Sequence, residues 1–297
     1  MPPPEGVNAR PLTPGEADLA FAAAQKVVEV HRHMCQFLRE GQTLAQVDAE
    51  VARVLAQLEC RSCFLGYRVG RLPPYPSHAC LSVNDCIVHG THLSHTAPLR
   101  EGDLLSLDIG VVHRNWVGDA AWTYAIKSVS EPHRRLMACG REALLRGIPT
   151  LSPANTMLKW AQTIQSYVEG DCGYHLVRGL GGHGYGRWIN ERDRGIHGPP
   201  YVSNVPPLSE SEWPDAFLPR KTFSQIAALR RWQPGTLIAV EPMIALGTGR
   251  TIGGDRDWPI HTADGSVAVH YEADVLITDA GPRDLTEGMQ SLPDIVG

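Results

Sequence analysis

Four acidic residues interrupt segments whose apolar pattern predicts buried β-strands. Asp108 lies in the run 104–109 and Glu241 in the run 237–244, both otherwise dominated by aliphatic residues. Asp119 and Glu272 have similar surroundings along the chain. An ionised carboxylate in a hydrophobic core costs several kcal/mol unless it is paired or bound to a cation. The chain must therefore fold so that these acids meet a positive partner.

A histidine in a glycine-rich segment completes this set. His183 lies within 181–186, where the glycines allow close approach of the backbone and leave the imidazole unobstructed. Carboxylates combined with an imidazole suit divalent ions such as Mn, Fe, Co or Zn. Because four carboxylates balance the charge of two dications, the set indicates a hydrolase centre with two metal ions.

Six short segments, in order along the chain, resemble the signature segments of type I methionine aminopeptidases. They are residues 84–90, 107–110, 118–119, 182–187, 240–243 and 271–272. The match extends over about residues 13–280, and the eleven-residue spacing from Asp108 to Asp119 agrees with it. The resemblance implies an α+β pita-bread fold, with two pseudo-symmetric halves of antiparallel sheet and flanking helices. It also implies removal of N-terminal methionine from peptides and nascent proteins by a metal-bridged hydroxide.

The resemblance assigns roles to individual residues. Glu241 would accept a proton from the attacking water and pass it to the leaving amine, while also binding metal. His89 would contact the substrate amide and assist the tetrahedral intermediate. The ligands of two divalent ions (Co, Mn, Fe or Zn) would be Asp108, Asp119, His183, Glu241 and Glu272.

A second supporting histidine is expected seven residues after His183, but that position is Asn190. The segment 196–202 resembles the one that normally carries this histidine, displaced by a seven-residue insertion. We therefore assign His197 the role of polarising the substrate carbonyl. The alternative is that Asn190 fills the position of this histidine in an altered site.

The pocket for the first side chain of the substrate also follows from the resemblance. Aromatic and thiol groups accommodate a methionine thioether well. A four-residue insertion at 71–74 follows the second predicted pocket residue, and the stretch 203–232 forms either a surface loop or a lid. The predicted pocket residues are Phe64, Tyr67, Cys80, Ile196 and Trp258.

The order of predicted elements repeats once along the chain. Helices are expected from Thr13 to near Gly41 and from Thr43, and again over about 131–146 and 152–168. Strand-like segments follow each pair of helices. We expect a loose arm over 1–12 and one pita-bread domain over 13–297 with an insertion at about 190–232.

Composition excludes several classes of protein. The 297-residue chain is 43% hydrophobic, enough for a substantial core, and its net charge of −5 with no basic run argues against nucleic-acid or anionic-membrane partners. No membrane-spanning run or signal pattern is present, so we expect a cytoplasmic protein and assume a monomer. The seven cysteines form no disulfide framework and are expected to be reduced.

Three functional hypotheses follow. A metal-dependent methionine aminopeptidase accounts for the five ligands and His89. The two insertions favour the alternative, a metallohydrolase of the same fold acting on X-Pro peptides or in a specialised biosynthetic reaction. A non-catalytic peptide-binding relative is disfavoured because all five ligands are present.

Overall fold

The structure, a computed structural model, describes residues 12–206 and 229–297. The described residues form an α+β fold of helices and mostly antiparallel sheets, as predicted. The helices are α1 (Pro14–Phe37), α2 (Leu44–Gln57), α3 (Glu131–Gly147) and α4 (Met157–Gln165). The strands of the first half are β1 (Arg61–Ser62), β2 (Cys80–Val83), β3 (Cys86–Val88), β4 (Leu104–His113) and β5 (Trp116–Ile126). Those of the second half are β6 (His175–Leu176), β7 (Gly181–Gly184), β8 (Gly198–Ser203), β9 (Leu237–Val240), β10 (Met243–Ala245), β11 (Thr251–Gly253), β12 (Ile260–Thr262), β13 (Ala268–His270), β14 (Ala273–Thr278), β15 (Gly281–Asp284) and β16 (Ile295–Val296).

The first two helices begin at capping signals in the sequence. Thr13 caps α1 and Thr43 caps α2, and each hydroxyl accepts a hydrogen bond from the main-chain N–H three residues later. The side chains at those positions, Glu16 and Gln46, accept a hydrogen bond from the threonine N–H in return. These reciprocal bonds satisfy donors that a helix terminus leaves free.

The fourth helix is shorter than predicted. The sequence predicts a helix over 152–168, but α4 begins at Met157 and passes into a π-helical turn over Ser166–Asp171. Ser152 and its neighbours form a turn instead, in which the N–H of Asn155 donates to the carbonyl oxygen of Ser152. Asn155 then bonds the carbonyl oxygen of Thr150 through its side chain.

Two five-stranded sheets carry the residues of interest. The first has β4 between β1 and β5, with β2 also paired to β4 and β16 added in parallel to β5. The second has the order β15-β14-β9-β7-β8. Helix α1 packs on β4 and β5, and α3 packs on β10 and β13, so each half places its first helix against a sheet.

The two halves are joined through β5. Thr123 Oγ1 donates to the carbonyl oxygen of His270 and accepts from the N–H of the same residue, at 2.9 and 3.0 Å. The N–H of Glu272 donates to the carbonyl oxygen of Ala121 at 2.9 Å. These bonds fix the segment before β14 against the first half.

Two strand-like runs are broken where the sequence analysis predicted continuous strands. The break between β9 and β10 falls at Glu241 and Pro242, and proline cannot donate to a sheet ladder. The break between β13 and β14 falls at Tyr271 and Glu272. Both acidic residues therefore occupy strand ends, where a side chain is free to turn out of the sheet.

The described ranges contain no helix with the length and apolar character needed to cross a membrane. Their seven cysteines are free thiols. Most of the predicted arm, and residues 207–228 of the predicted insertion, lie outside the described residues.

Candidate metal centre

The hairpin of β4 and β5 brings Asp108 and Asp119 to one face of a sheet. In its register Asp108 pairs with Ala121 and Gly110 pairs with Asp119, so the two acids are diagonal neighbours. The Oδ1 atoms of both acids are buried without a hydrogen-bond partner among the described residues. Because buried polar atoms are nearly always bonded, these oxygens have free capacity for a ligand.

Glu241 and Glu272 reach the same place from the second sheet. Ala273 pairs with Val240 in the antiparallel register of β14 and β9, so the next residue on each side is the glutamate. Both glutamates are buried, with 8% and 2% of their surfaces exposed. The four acids thus converge from two sheets, one in each half of the fold.

His183 is placed by β7. It pairs with Ala239 of β9 and shares a face with Glu241, two residues further on. The close pairing depends on glycine, because a Cβ at Gly182 would collide with a carbonyl oxygen of β9. The Nε2 atom of His183 lies 3.6 Å from Oε1 of Glu241 and 3.9 Å from Oδ2 of Asp119.

The structure adds a histidine that the sequence analysis did not select. His270 ends β13 and is 2% exposed. Its Nε2 lies 3.3 Å from Oε2 of Glu241 and 3.9 Å from Oε2 of Glu272. One signal was available in the sequence: His270 precedes Glu272 by two residues, a spacing that directs both side chains to one face of an extended chain.

The ligand-type atoms form two groups that share one residue. Asp119, His183 and Glu272 offer atoms within 4.8 Å of one another, and so do Glu241, His270 and Glu272. Asp108 belongs to neither group, although it neighbours Asp119 and lines the same cavity.

Burial raises the pKa of all four carboxyl groups well above their ordinary values. Negative neighbours add to the effect, since Glu241 raises the pKa of Asp108 and Asp119 raises those of Glu241 and Glu272. In the described part of the chain no Arg or Lys side chain pairs with any of these acids. The acids therefore lack a protein partner of positive charge.

The two histidines do not supply that charge. Burial lowers the pKa of His183 to about 4 and that of His270 to about 3, so both rings are neutral at pH 7. The neutral imidazole is the form that binds metal. Carboxylates with neutral imidazoles are a donor set that fits divalent cations, and a cation would provide the missing positive charge.

The cluster lines a cavity of about 240 Å³. Aromatic and aliphatic side chains line the same cavity, among them the predicted pocket residues Phe64, Tyr67, Cys80 and Trp258. Ile196 differs from the prediction. It is not a lining residue but packs in the hydrophobic cluster that contains Phe64 and Trp258, because the chain reaches the cavity one residue later.

His89 and His197 both line the cavity. Both have left-handed backbone conformations, with φ of 58° and 35°. Such conformations cost about 1–3 kcal/mol in residues other than glycine and cluster at functional sites. Burial lowers the pKa of His89 to about 4 and that of His197 well below its usual value, so both rings are neutral.

His197 contacts the metal-ligand set directly. Its ring centre lies 4.5 Å from that of His183 and 5.1 Å from that of Tyr67. Asn190 is exposed, and its Oδ1 accepts from the N–H groups of Arg192 and Asp193 at 2.8 and 3.1 Å. Asn190 therefore stabilises its own turn, and His197 is the residue of this pair that faces the cavity.

Arg194, within the predicted insertion, connects two loops at the cavity. Its Nη1 donates to the carbonyl oxygens of Cys63 and Leu65 at 3.0 and 2.8 Å. Its guanidinium carbon lies 5.9 Å from the ring centre of Tyr67 and 5.0 Å from that of Trp188. Only 8% of Arg194 is exposed. The insertion thus supports the segment that carries the first two pocket residues.

The insertion at 71–74 also supports the aromatic lining of the cavity. Trp258 Nε1 donates to the carbonyl oxygen of Pro73 at 2.9 Å, and Leu72 is buried. The Trp258 ring contacts Tyr75 and His89 edge to face, with ring centres 5.0 and 6.0 Å apart. Residues 71–74 thereby fix the orientation of an aromatic side of the cavity.

Comparison with known proteins agrees with this architecture. The family model described as metallopeptidase family M24 matches residues 19–279. Methionine aminopeptidase 1 of Mycobacterium tuberculosis is 32% identical over 279 residues, covering 92% of this chain and 93% of that protein. The crystal structure of methionine aminopeptidase from Thermotoga maritima has 29% identity and a TM-score of 0.76, covering 93% of this chain and 98% of that one. The X-Pro aminopeptidase from Thermotoga maritima has 15% identity and a TM-score of 0.67, covering 96% of this chain and 63% of that one, which is a likeness of fold alone.

The fold and the site together define a metal-dependent hydrolase with the pita-bread fold. More narrowly, the chain belongs to metallopeptidase family M24, and the resemblance to methionine aminopeptidases drawn from its motifs is confirmed. Divalent metal ions are accordingly its cofactors.

Proposed function

We propose that this protein is a methionine aminopeptidase that removes the N-terminal methionine from peptides and nascent chains. The observation that carries the proposal is one cavity lined both by a cluster of acids and imidazoles and by aromatic and thiol side chains. Its 32% identity to a methionine aminopeptidase over 92% of the chain supports the same substrate.

Two divalent ions, Co, Mn, Fe or Zn, would be held by the five predicted ligands. Two groups of ligand atoms that share Glu272 support a count of two rather than one. When bound, the ions would lower the pKa of a water molecule and polarise the scissile carbonyl. The ligands would be Asp108, Asp119, His183, Glu241 and Glu272.

Glu241 is the proposed proton carrier. It lines the cavity together with the other predicted ligands, so its carboxylate is placed to accept a proton from a water molecule at the metal centre and to return it. In this role it takes a proton from the attacking water and delivers the proton to the leaving amine. Because the same proton is taken up and then released, one round of hydrolysis needs no additional acid.

His89 and His197 are proposed to act on the peptide group. Both are neutral, so each can donate an N–H to an oxygen that gains negative charge in the transition state without introducing a full positive charge beside the cation site. Both rings line the cavity, where a peptide group bound at the metal centre would be within their reach.

The aromatic and thiol side chains of the cavity are proposed to bind the methionine side chain. Phe64, Tyr67, Cys80 and Trp258 present aromatic and sulfur surfaces, which contact a thioether favourably. The acids that line the same cavity would attract the free α-amine of the substrate, which favours cleavage after the first residue over cleavage within a chain.

Peptide hydrolysis tests the proposal directly. The purified protein is incubated with Mn or Co and either Met-Gly-Ser or Ala-Pro-Ser, and free amino acids are measured. We expect free methionine from Met-Gly-Ser and release from Ala-Pro-Ser at least about 100-fold slower, the discrimination that a shaped pocket supports. Preferred cleavage of Ala-Pro-Ser would establish the alternative X-Pro activity, and cleavage of neither would contradict the proposal.

A further inference from the structure

We propose that His270 is itself a metal ligand, so that the centre contains two imidazoles and six protein ligands. The proposal rests on the proposed two-ion centre of the same cavity, but not on methionine as the substrate. It assigns a nitrogen donor to the group formed by Glu241, His270 and Glu272.

The ring of His270 lacks the hydrogen bonds that a buried histidine normally makes. Within the described ranges neither Nδ1 nor Nε2 has a hydrogen-bond partner, although His270 is only 2% exposed. His31 shows the usual case, since its two ring nitrogens contact Tyr124 Oη and the Ala120 carbonyl oxygen at 2.9 and 3.1 Å. A buried polar group without partners requires an explanation, and a bound cation provides one.

The shorter of two separations at His270 falls in the range expected for a coordination sphere, and the longer one equals the longer separation at His183. Ligand atoms about 2.1 Å from one ion lie about 3.0–3.4 Å apart at tetrahedral or octahedral angles. The Nε2 of His270 lies 3.3 Å from Glu241 Oε2 and 3.9 Å from Glu272 Oε2. His183 lies at similar distances, 3.6 and 3.9 Å, from its own carboxylates. The two histidines therefore stand in equivalent relations to the acids.

The main chain holds His270 in this place independently of its ring. Thr123 bonds both the N–H and the carbonyl oxygen of His270, and Met243 of β10 pairs with it. The ring is thus free to use a nitrogen lone pair for coordination. Glu241 faces one imidazole with Oε1 and the other with Oε2, which suits a carboxylate located between two nitrogen donors.

A second imidazole changes which metals the centre prefers. Imidazole suits Zn, Co, Fe and Ni, whereas sites made only of oxygen donors suit Mn and Mg. We therefore expect His270 to strengthen Co and Zn binding more than Mn binding. The selectivity for Co over Mn should fall when the nitrogen is removed.

Metal binding by the full chain tests the inference without reference to peptide cleavage. Calorimetric titration of metal-free protein with Co should give two sites in the wild type. In His270→Gln, which keeps a polar side chain of similar reach, one Co site should weaken at least about 10-fold. The matched control is His175→Gln, because His175 is exposed on β6, and it should bind like the wild type.

A second measurement does not depend on the variant being folded. Co K-edge absorption of the two-Co wild-type protein should fit two imidazoles per protein. One imidazole per protein, or Co affinities in folded His270→Gln within about twofold of the wild type, would overturn the ligand assignment. Two bound ions with one imidazole would leave the proposed function intact. Absence of any metal binding would contradict both the proposed function and the assignment of His270 as a ligand.

Discussion

The main-chain N–H of Asp119 donates a 2.8 Å hydrogen bond to Oδ2 of Asp274. Asp119 belongs to the hairpin of the first half and Asp274 to β14 of the second, so this bond ties the two halves together at the cluster. Asp274 is fully buried, lies two residues after Glu272 and is not among the residues that line the cavity. We infer that it positions Asp119 rather than binding metal.

Replacing Asp274 should loosen this link. We expect Asp274→Ala to lower the free energy of unfolding by about 1–3 kcal/mol, because it leaves a buried N–H without its acceptor. Asp274→Asn keeps an acceptor oxygen and should lose less. Urea unfolding of the metal-free protein measures the difference. Equal stability of the alanine variant and the wild type would show that the bond contributes nothing.

Removal of a proposed ligand should abolish both metal binding and catalysis. Asp108→Ala and Glu241→Ala each take one oxygen donor from a site that lacks other positive partners in the described chain. We expect turnover to fall at least about 100-fold and bound metal to be lost on desalting. Glu287→Ala changes an exposed acid and serves as the control. A fully metal-loaded and active Glu241→Ala protein would refute the assignment.

His197→Ala separates catalysis from metal binding. Because His197 contacts His183 but belongs to neither ligand group, the variant should retain its metal content. We expect kcat to fall by about 10²–10³-fold, the effect of removing one transition-state donor. Asn190→Ala alters only an exposed turn and should keep wild-type kinetics. A lower kcat in Asn190→Ala, with unchanged kinetics in His197→Ala, would instead assign the role to Asn190.

Arg194→Lys tests the support that the insertion gives to the pocket wall. Lysine keeps the charge but cannot reproduce the planar guanidinium that bonds two carbonyl oxygens and lies over two rings. We expect KM for a Met-initiated peptide to rise about 10-fold, which corresponds to about 1.4 kcal/mol of binding. Arg192→Lys, a change at an exposed neighbouring residue, is the control. An unchanged KM in the Arg194 variant would remove this residue from the pocket.

His31 should make stability depend on pH below neutrality. Burial lowers its pKa to about 4, so the unfolded chain binds a proton near pH 6.5 while the folded protein does not. Its contribution to the free energy of unfolding is therefore complete above pH 6.5. That contribution decreases as pH falls toward 4, by up to about 1.4 kcal/mol per pH unit. Comparing the unfolding free energies of the wild type and His31→Gln over this range isolates the effect. A constant difference between them would contradict it.

Much of the site could be predicted because ionised groups in apolar segments are conspicuous. Asp108, Asp119, Glu241 and Glu272 stand out against aliphatic neighbours, and burial in the fold is the physical reason that each needs a partner. The helix starts were predictable for a local reason, since a capping box lies within four residues, as at Thr13.

Features that depend on long-range packing were not predictable in the same way. His270 looks like an ordinary strand histidine until Thr123, 147 residues away, fixes its backbone beside Glu241. Whether residue 196 or 197 reaches the cavity depends on the path of the insertion, and Ile196, which the resemblance places in the pocket, does not line the cavity. Local periodicity directs His270 to the same face as Glu272, but it does not show that Glu241 lies beside them, and it carries no information about the path of the insertion.

The proposed chemistry depends most on a pair of metal ions held where the two sheets meet. Anomalous diffraction from crystals of the Co-loaded protein tests it most directly. We predict two peaks, each about 2.0–2.2 Å from carboxylate oxygens of the set Asp108, Asp119, Glu241 and Glu272, with His183 bound to one of them. Absence of Co from this cluster, with its carboxylates turned apart or paired to arginine and lysine, would contradict the account.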